Sequence, residues 1–442
     1  MMTRESTSHQ QKVERVIRQL KSYKRSKPIS LRKKSVSHEV PNPNDKRHTD
    51  HKIDIRGLNE ILHIDPKKKI CIAEPGVTFI DLVTATMKYG LVPIIVPELK
   101  TITIGGAVAG CSIESMSYKF GGFHDTCLEY EVITAKGEVL TCTPDNENKL
   151  LFQMLHGTFG TLGIISKLTF KLIPSKPYVK TSYQKYKSFE SFGASILDHY
   201  EKKDVDFMDG IIHSPTECVL SLANFSDDAP YTNNYDWLKV YYESTKIREE
   251  DYLKTVDYFF RYNRGVTNII PKSFLGKLIC GKFISSTQVL SFARVFRKFI
   301  HPDRIPVTAD LFIPFSKFTN FMDWYTKELN YYPLWCVPYE LVRDYEWLSP
   351  EFLANKDNKL FLDIAIYGMK KNKNINYYKL IEDNLREING IKWPISPSYY
   401  CESDFWKIWN KKNYLKAKTK TDPDNIFRDI YIKTCQAMRG IE

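Results

Sequence analysis

Residues 101–125 read TITIGGAVAGCSIESMSYKFGGFHD. Gly105, Gly106 and Gly110 crowd the first half, and Gly121-Gly122 closes the second. Glycine lets the main chain come close to a ligand and bare its N–H groups to anionic oxygens. Ser112 and Ser115 add hydroxyl donors. Such a stretch suits backbone contact with a pyrophosphate and a flat ring. Taken alone, these glycines could serve only turns and bulges. A second cluster, HGTFGTLGII at 156–165, and a Pro75-Gly76-Val77 turn upstream argue for the ligand instead.

Outward from this stretch, 69–74 reads as a strand and Pro75-Gly76 as a turn. Thr78 stands where a helix N-cap belongs, with Asp81 three residues on. Phe79, Leu82, Val83 and Met87 supply the apolar stripe of a helix that Gly90 ends. Segments 129–135 and 138–142 form a hairpin about Lys136-Gly137, and 149–156 a short helix. In 163–172, Leu168, Phe170 and Leu172 alternate with Lys167, Thr169 and Lys171, the period of a strand. Pro174 and Pro177 mark a domain boundary. Beyond it the chain is poor in glycine and rich in aromatics. Strand-like runs occur at 207–213, 307–314, 333–339 and 360–368, with a helical pattern at 315–329. That mixture predicts an α+β domain. The expected organisation is a basic helix at 1–27, a first domain at 28–178, a second at 179–390 and a helical segment at 391–442.

Composition divides the chain in the same way. Eleven of the 20 glycines fall between Gly76 and Gly163, and all seven tryptophans at Trp237 or later. The formal charge of +12 is concentrated in residues 1–50, which hold 13 Lys+Arg against 5 Asp+Glu. There, 9–25 reads as an amphipathic helix with Val13, Val16, Ile17, Leu20 and Tyr23 on one face. Its first expectation is packing on the body of the protein, its second peripheral contact with an anionic membrane surface. No zinc-finger, RNP or helix-turn-helix pattern follows, so no nucleic-acid partner is expected.

Several chemistries lack their residues. Nine cysteines form no CxxC pair and ten histidines no HxxxH or HExxH, so no metal is expected. The absence of G-x-S-x-G speaks against a serine hydrolase, and that of G-x-G-x-x-G against a Rossmann site for a nicotinamide. With no export signal and no apolar run of roughly 18 residues, a cytoplasmic location is expected.

The motifs 74–77 (EPGV), 90–93 (GLVP), 97–99 (PEL), 103–106 (TIGG), 121–125 (GGFHD), 131–132 (EV) and 157–165 together resemble the PCMH-type FAD-binding domain of the vanillyl-alcohol oxidase/p-cresol methylhydroxylase superfamily. PELKTITIGG and GCSIESMSYKFGG are similar to its delta-24 sterol reductase branch, as are YYPLWCVPY at 331–339, LFLDIAIYG at 360–368 and ESDFWKIWNK at 402–411. The resemblance implies a two-subdomain FAD-binding domain followed by an α+β substrate domain with an antiparallel sheet. It implies FAD held by Thr103, Ile104, Gly105, Gly106, Ala107, Val108, Ala109, Gly110, Cys111, Ser112, Ile113, Glu114 and Ser115, and by Gly160, Gly163, Ile164 and Ile165. The ending KTDPDNIF at 420–427 resembles a segment that folds back onto the FAD domain. Many superfamily members carry an early glycine- and histidine-bearing loop, sometimes bonded to the flavin. Its counterpart here is SLRKKSVSHEV at 30–40, without glycine, where Ser37 and His38 would sit near the phosphates and Arg32-Lys33-Lys34 would steer the anion. Non-covalent FAD is expected.

These features predict a soluble FAD-dependent oxidoreductase that reduces a carbon–carbon double bond of a flat apolar molecule, a sterol in the resembling family. NADPH would reduce the flavin by docking over its ring. An FAD-linked oxidase or dehydrogenase acting on an alcohol is the alternative. Tyr339 is the expected proton donor, while Asp363 reads as a strand carboxylate bonded to backbone.

Overall fold

The computed structural model describes residues 8–24, 26–34, 42–235, 240–263, 305–356 and 359–441. The first sheet grows around the alternating strand Ile164–Pro174, whose Ile164, Leu168, Phe170 and Leu172 turn inward. Ile61–Asp65, Ile70–Ala73, Ile164–Pro174, Cys127–Ile133 and Val139–Cys142 lie side by side in that order, and Leu91–Pro93 also pairs with Ile164–Pro174. Every pairing in it is antiparallel. A smaller sheet joins Ile29–Arg32 to His51–Asp54 in parallel.

The N-terminal helix, His9–Lys21, starts on a capping box in which Ser8 and Gln11 satisfy each other's backbone N–H groups. Its Val13, Val16 and Leu20 pack with Ile53, Ile133, Ile164, Ile426 and Phe427. The helix thus uses its apolar stripe inside the protein, uniting the small sheet, the large sheet and the returning C-terminus.

After Pro174 the chain enters a second sheet. Its eight strands run in the order Glu250–Lys254, Tyr178–Tyr186, Glu217–Ser226, Phe207–Ser214, Leu334–Glu340, Leu360–Met369, Val307–Pro314 and Ile391–Lys392, all antiparallel to their neighbours. On one face Met208, Leu220, Leu311 and Ile364 pack against helices Phe189–Lys202, Phe318–Glu328 and Tyr377–Glu387. The period-two alternation sends Phe312, Trp335, Tyr339 and Phe361 to the opposite face, where they join the core of the first sheet. The α+β architecture with an antiparallel second sheet agrees with the sequence reading. Strands Tyr178–Tyr186 and Glu217–Ser226 and helix Phe189–Lys202 are additional. Glu217–Ser226 is buried on both faces over most of its length, so no alternation marks it.

The C-terminal segment returns to where the chain began. Ile29 N–H donates to the Ile426 carbonyl at 2.8 Å, and Ala135 N–H to that of Thr421 at 2.9 Å. The buried Asp422 side chain accepts from the N–H groups of Ile426 and Phe427 and pairs with Lys418 Nζ at 2.6 Å.

Candidate functional site

Between the two sheets lies a cleft of about 480 Å³. Its first wall begins at the short helix Ile104–Ala109, capped by Thr103, whose Oγ1 accepts from the Gly106 N–H at 3.3 Å. Gly105 N–H donates to the Pro75 carbonyl at 3.0 Å. A Cβ on Gly105 would fall 2.5 Å from the Pro75 Cβ, so only glycine permits this approach. The second glycine loop zips onto the helix end, with Phe159 N–H donating to the Ala109 carbonyl at 3.0 Å. In that loop Gly160 has φ +69° and open space where a side chain would stand.

Cations stand over this wall. Lys33, Lys34, Arg47, Arg56 and Lys433 line the cleft. Lys433 belongs to a single π-helical turn, Ile432–Gln436, and donates to the Phe159 carbonyl at 2.6 Å. Burial pushes its amine down to about 7, and Arg47 and Lys33 add repulsion. An anion placed here would relieve that repulsion.

The opposite wall is the free face of the eight-stranded sheet, with Phe312, Trp335, Asp310, Asp363 and Tyr367. Trp393 closes the gap, its Nε1 donating to the Gly110 carbonyl at 2.7 Å. From this junction a smaller apolar arm of about 30 Å³ leads away, sharing Cys111, Ile113, Phe312 and Trp393 with the cleft and reaching Tyr339, Trp347 and Phe361.

Of the residues expected to hold a cofactor, Thr103, Gly105, Gly106, Ala109, Gly110, Cys111, Ser112, Ile113, Gly160, Gly163 and Ile165 line the cleft. Ile104, Ala107, Val108 and Ile164 point into the core instead. Glu114 and Ser115 tie the glycine segment to the second sheet. The Ser115 carbonyl accepts from the Met208 N–H at 2.8 Å, and Arg261 Nη2 bridges Glu114 Oε1 at 3.2 Å and Asp209 Oδ1 at 3.0 Å. Burial, with Asp209 alongside, pushes the Glu114 carboxyl up against the pull of Arg261. Ser37 and His38 lie outside the described residues.

Tyr339 lines the apolar arm, and its hydroxyl is hydrogen-bonded to that of Tyr345 at 2.7 Å. Tyr345 donates onward to Asp125 Oδ2 at 2.7 Å. Burial pushes both phenols well above their ordinary range. Lys433, Trp393, Trp335 and Asp310 were not singled out from the sequence. Each comes from a segment remote from the glycine motifs: the second sheet brings Asp310, Trp335 and Trp393 to the cleft, and the returning C-terminus brings Lys433.

The glycine wall, the cations and the aromatic face fit a nucleotide cofactor carrying a pyrophosphate and a flat ring. Residues 8–143 match the family model described as FAD binding domain. Over 414 residues the chain is 26% identical to a human protein named Delta(24)-sterol reductase, covering 88% of this chain and 78% of the relative. The chain is an FAD-linked oxidoreductase. A Caenorhabditis elegans protein named as a Delta(24)-sterol reductase homolog is 25% identical over 472 residues, covering 98% of this chain and 88% of its own. Rice (Oryza sativa subsp. indica) cytokinin dehydrogenase 8 is 30% identical over 161 residues, 35% of this chain and 30% of its own. The FAD-domain match takes in the N-terminal helix. Among the described residues of this flavoprotein, no helix is long and apolar enough to cross a membrane.

Proposed function

We propose that this flavoprotein reduces a carbon–carbon double bond of an apolar, sterol-like substrate, with NADPH as electron donor. The observation that carries the reading is the junction at Gly110, Cys111 and Trp393, where the cationic, glycine-walled cleft opens into the apolar arm. Likeness to sterol reductases over most of the chain supports it.

Lys33, Lys34 and Lys433, standing over the glycine wall that lets a ligand come close, would hold the pyrophosphate. Bound there, FAD supplies two-electron hydride chemistry. Phe312, Trp335 and Trp393 would hold a flat apolar substrate and keep water out. Tyr339 forms a wall of the arm.

Anaerobic mixing tests the reading. NADPH should bleach the flavin absorbance, and a sterol with a side-chain double bond should restore it. Bleaching by an alcohol with rapid recovery in oxygen, and no response to NADPH, would establish the oxidase or dehydrogenase alternative. The N-terminal helix buries its apolar stripe, so a membrane contact through it would rest on its cationic face. Such binding to anionic vesicles should vanish at high salt.

A further inference from the structure

We propose that Asp363 is the acid that protonates the substrate double bond, an inference that rests on the reductase reading above. An isolated alkene has no carbonyl to absorb negative charge. Hydride can be added to one carbon only if the other receives a proton from a competent acid. The donor must be a stronger acid than a phenol and must still hold its proton at neutral pH. A carboxylic acid whose ionisation is suppressed meets both demands.

Asp363 has the position and surroundings for this. It sits in strand Leu360–Met369 on the face turned to the cleft, is only 4% exposed, and lines the cleft beside Phe312 and Trp393. Its Oδ1 accepts from the Leu311 N–H at 3.0 Å, and among the described residues nothing hydrogen-bonds to Oδ2. Asp310 faces it from the neighbouring strand Val307–Pro314, and Glu98 from the first-domain side. Tyr367, on its own strand, donates to Asp310 Oδ1 at 3.0 Å, and the Cys336 thiol lies on the strand at its other flank. Burial, reinforced by the Asp310 carboxylate, holds the Asp363 carboxyl well above the ordinary carboxylate range. Tyr339 is the weaker candidate, because burial makes its phenol a poorer acid still and its hydroxyl is engaged by Tyr345.

The step balances. The O–H bond of Asp363 breaks and its electron pair stays on the carboxylate. The π pair of the alkene forms one new C–H bond with that proton. The other carbon takes up a hydride, one hydrogen with two electrons, drawn from the flavin after its reduction by a nicotinamide. Water then returns a proton to Asp363. The substrate gains two hydrogens and no atom is lost.

Two measurements on the full-length flavoprotein test this. The infrared difference between the wild type and Asp363→Asn at pH 7 should show the C=O stretch of one protonated carboxylic acid, shifted in D2O, lost from the variant while the bands of other buried acids such as Glu114 remain in both. After anaerobic reduction, the flavin-loaded Asp363→Asn should be reoxidised by the alkene about 100-fold or more slowly than the wild type, a far larger loss than any in its reduction by NADPH. Wild-type reoxidation rates in Asp363→Asn, or no loss of intensity between the two proteins in that infrared region, would overturn the assignment. If Asp363→Asn does not retain FAD, Asp310→Asn serves. Its band should disappear at lower pH than that of the wild type, and an unmoved midpoint would count against the assignment. A wild-type flavin that no alkene reoxidises would sink the reductase reading itself, a result distinct from a defect confined to the variant.

Discussion

At the scale of single residues the cleft sets charge against burial. Burial and cationic neighbours lower the Lys433 amine to about 7, so without an anion beside it the amine is only partly protonated in neutral solution. A bound pyrophosphate would favour the ammonium form and draw in a proton. FAD affinity should therefore fall as pH rises above about 7, and isothermal titration in buffers of different ionisation heat should register proton uptake. Lys433→Met removes a charged contact worth about 1.5–3 kcal/mol, an increase in Kd of roughly 10- to 100-fold, and should flatten that pH dependence. Fluorescence titration with FAD measures both. Glycines of this site were readable in the sequence because a close approach at Gly105 and a left-handed backbone at Gly160 favour that residue over others. Lys433 was not, since nothing around it in the chain differs from an ordinary cationic helix.

At the scale of elements, periodicity governs what could be read. The N-terminal helix, the Thr78-capped helix and strand Ile164–Pro174 each present one face to the core, and their 3.6- or two-residue rhythm shows it. Strands sealed on both faces, such as Glu217–Ser226, carry no such rhythm. The N-terminal helix is also fastened by charge. His9 bridges Glu74 through Nδ1 at 2.8 Å and Glu131 through Nε2 at 2.9 Å, and these bonds, that to Glu131 foremost, raise its imidazole from 6.5 to about 9. A group whose folded pKa is raised contributes fully below its unfolded value and loses that contribution as pH climbs through the folded one. His9→Gln should therefore melt below the wild type at pH 6. The gap should close between pH 6.5 and 9, a trend that thermal scans at stepped pH will follow.

At the scale of the whole molecule, the cleft is assembled from segments as distant as Lys33 and Lys433. The resemblance of 420–427 pointed to a return of the chain, and Asp422 shows how it is achieved: one buried carboxylate caps the turn at Ile426 and Phe427 while neutralising Lys418. Lys418 in turn donates to the Thr161 carbonyl of the second glycine loop at 2.9 Å. Asp422→Ala would strand a buried ammonium and two backbone donors. Its cost should be about 3–5 kcal/mol, read from the shift in the urea midpoint. FAD affinity should weaken as well, because Lys433 reaches the site only through this return. The flavin chemistry was legible from the motifs and from the resemblance they carry. Which face of the second sheet meets the cofactor was not, since that depends on how two independently patterned sheets dock.

The indole that bridges this docking has an optical consequence. Trp393 donates to Gly110 on the cleft wall and lies within 5.5 Å of Trp347 and 6.4 Å of Trp409, ring centre to ring centre. Excitation absorbed by any of the three can pass to its neighbours, and a flavin in the cleft would drain it without emission. The protein carries its own gauge of occupancy: its ultraviolet glow should dim as each site fills and brighten as the cofactor leaves, with no added dye.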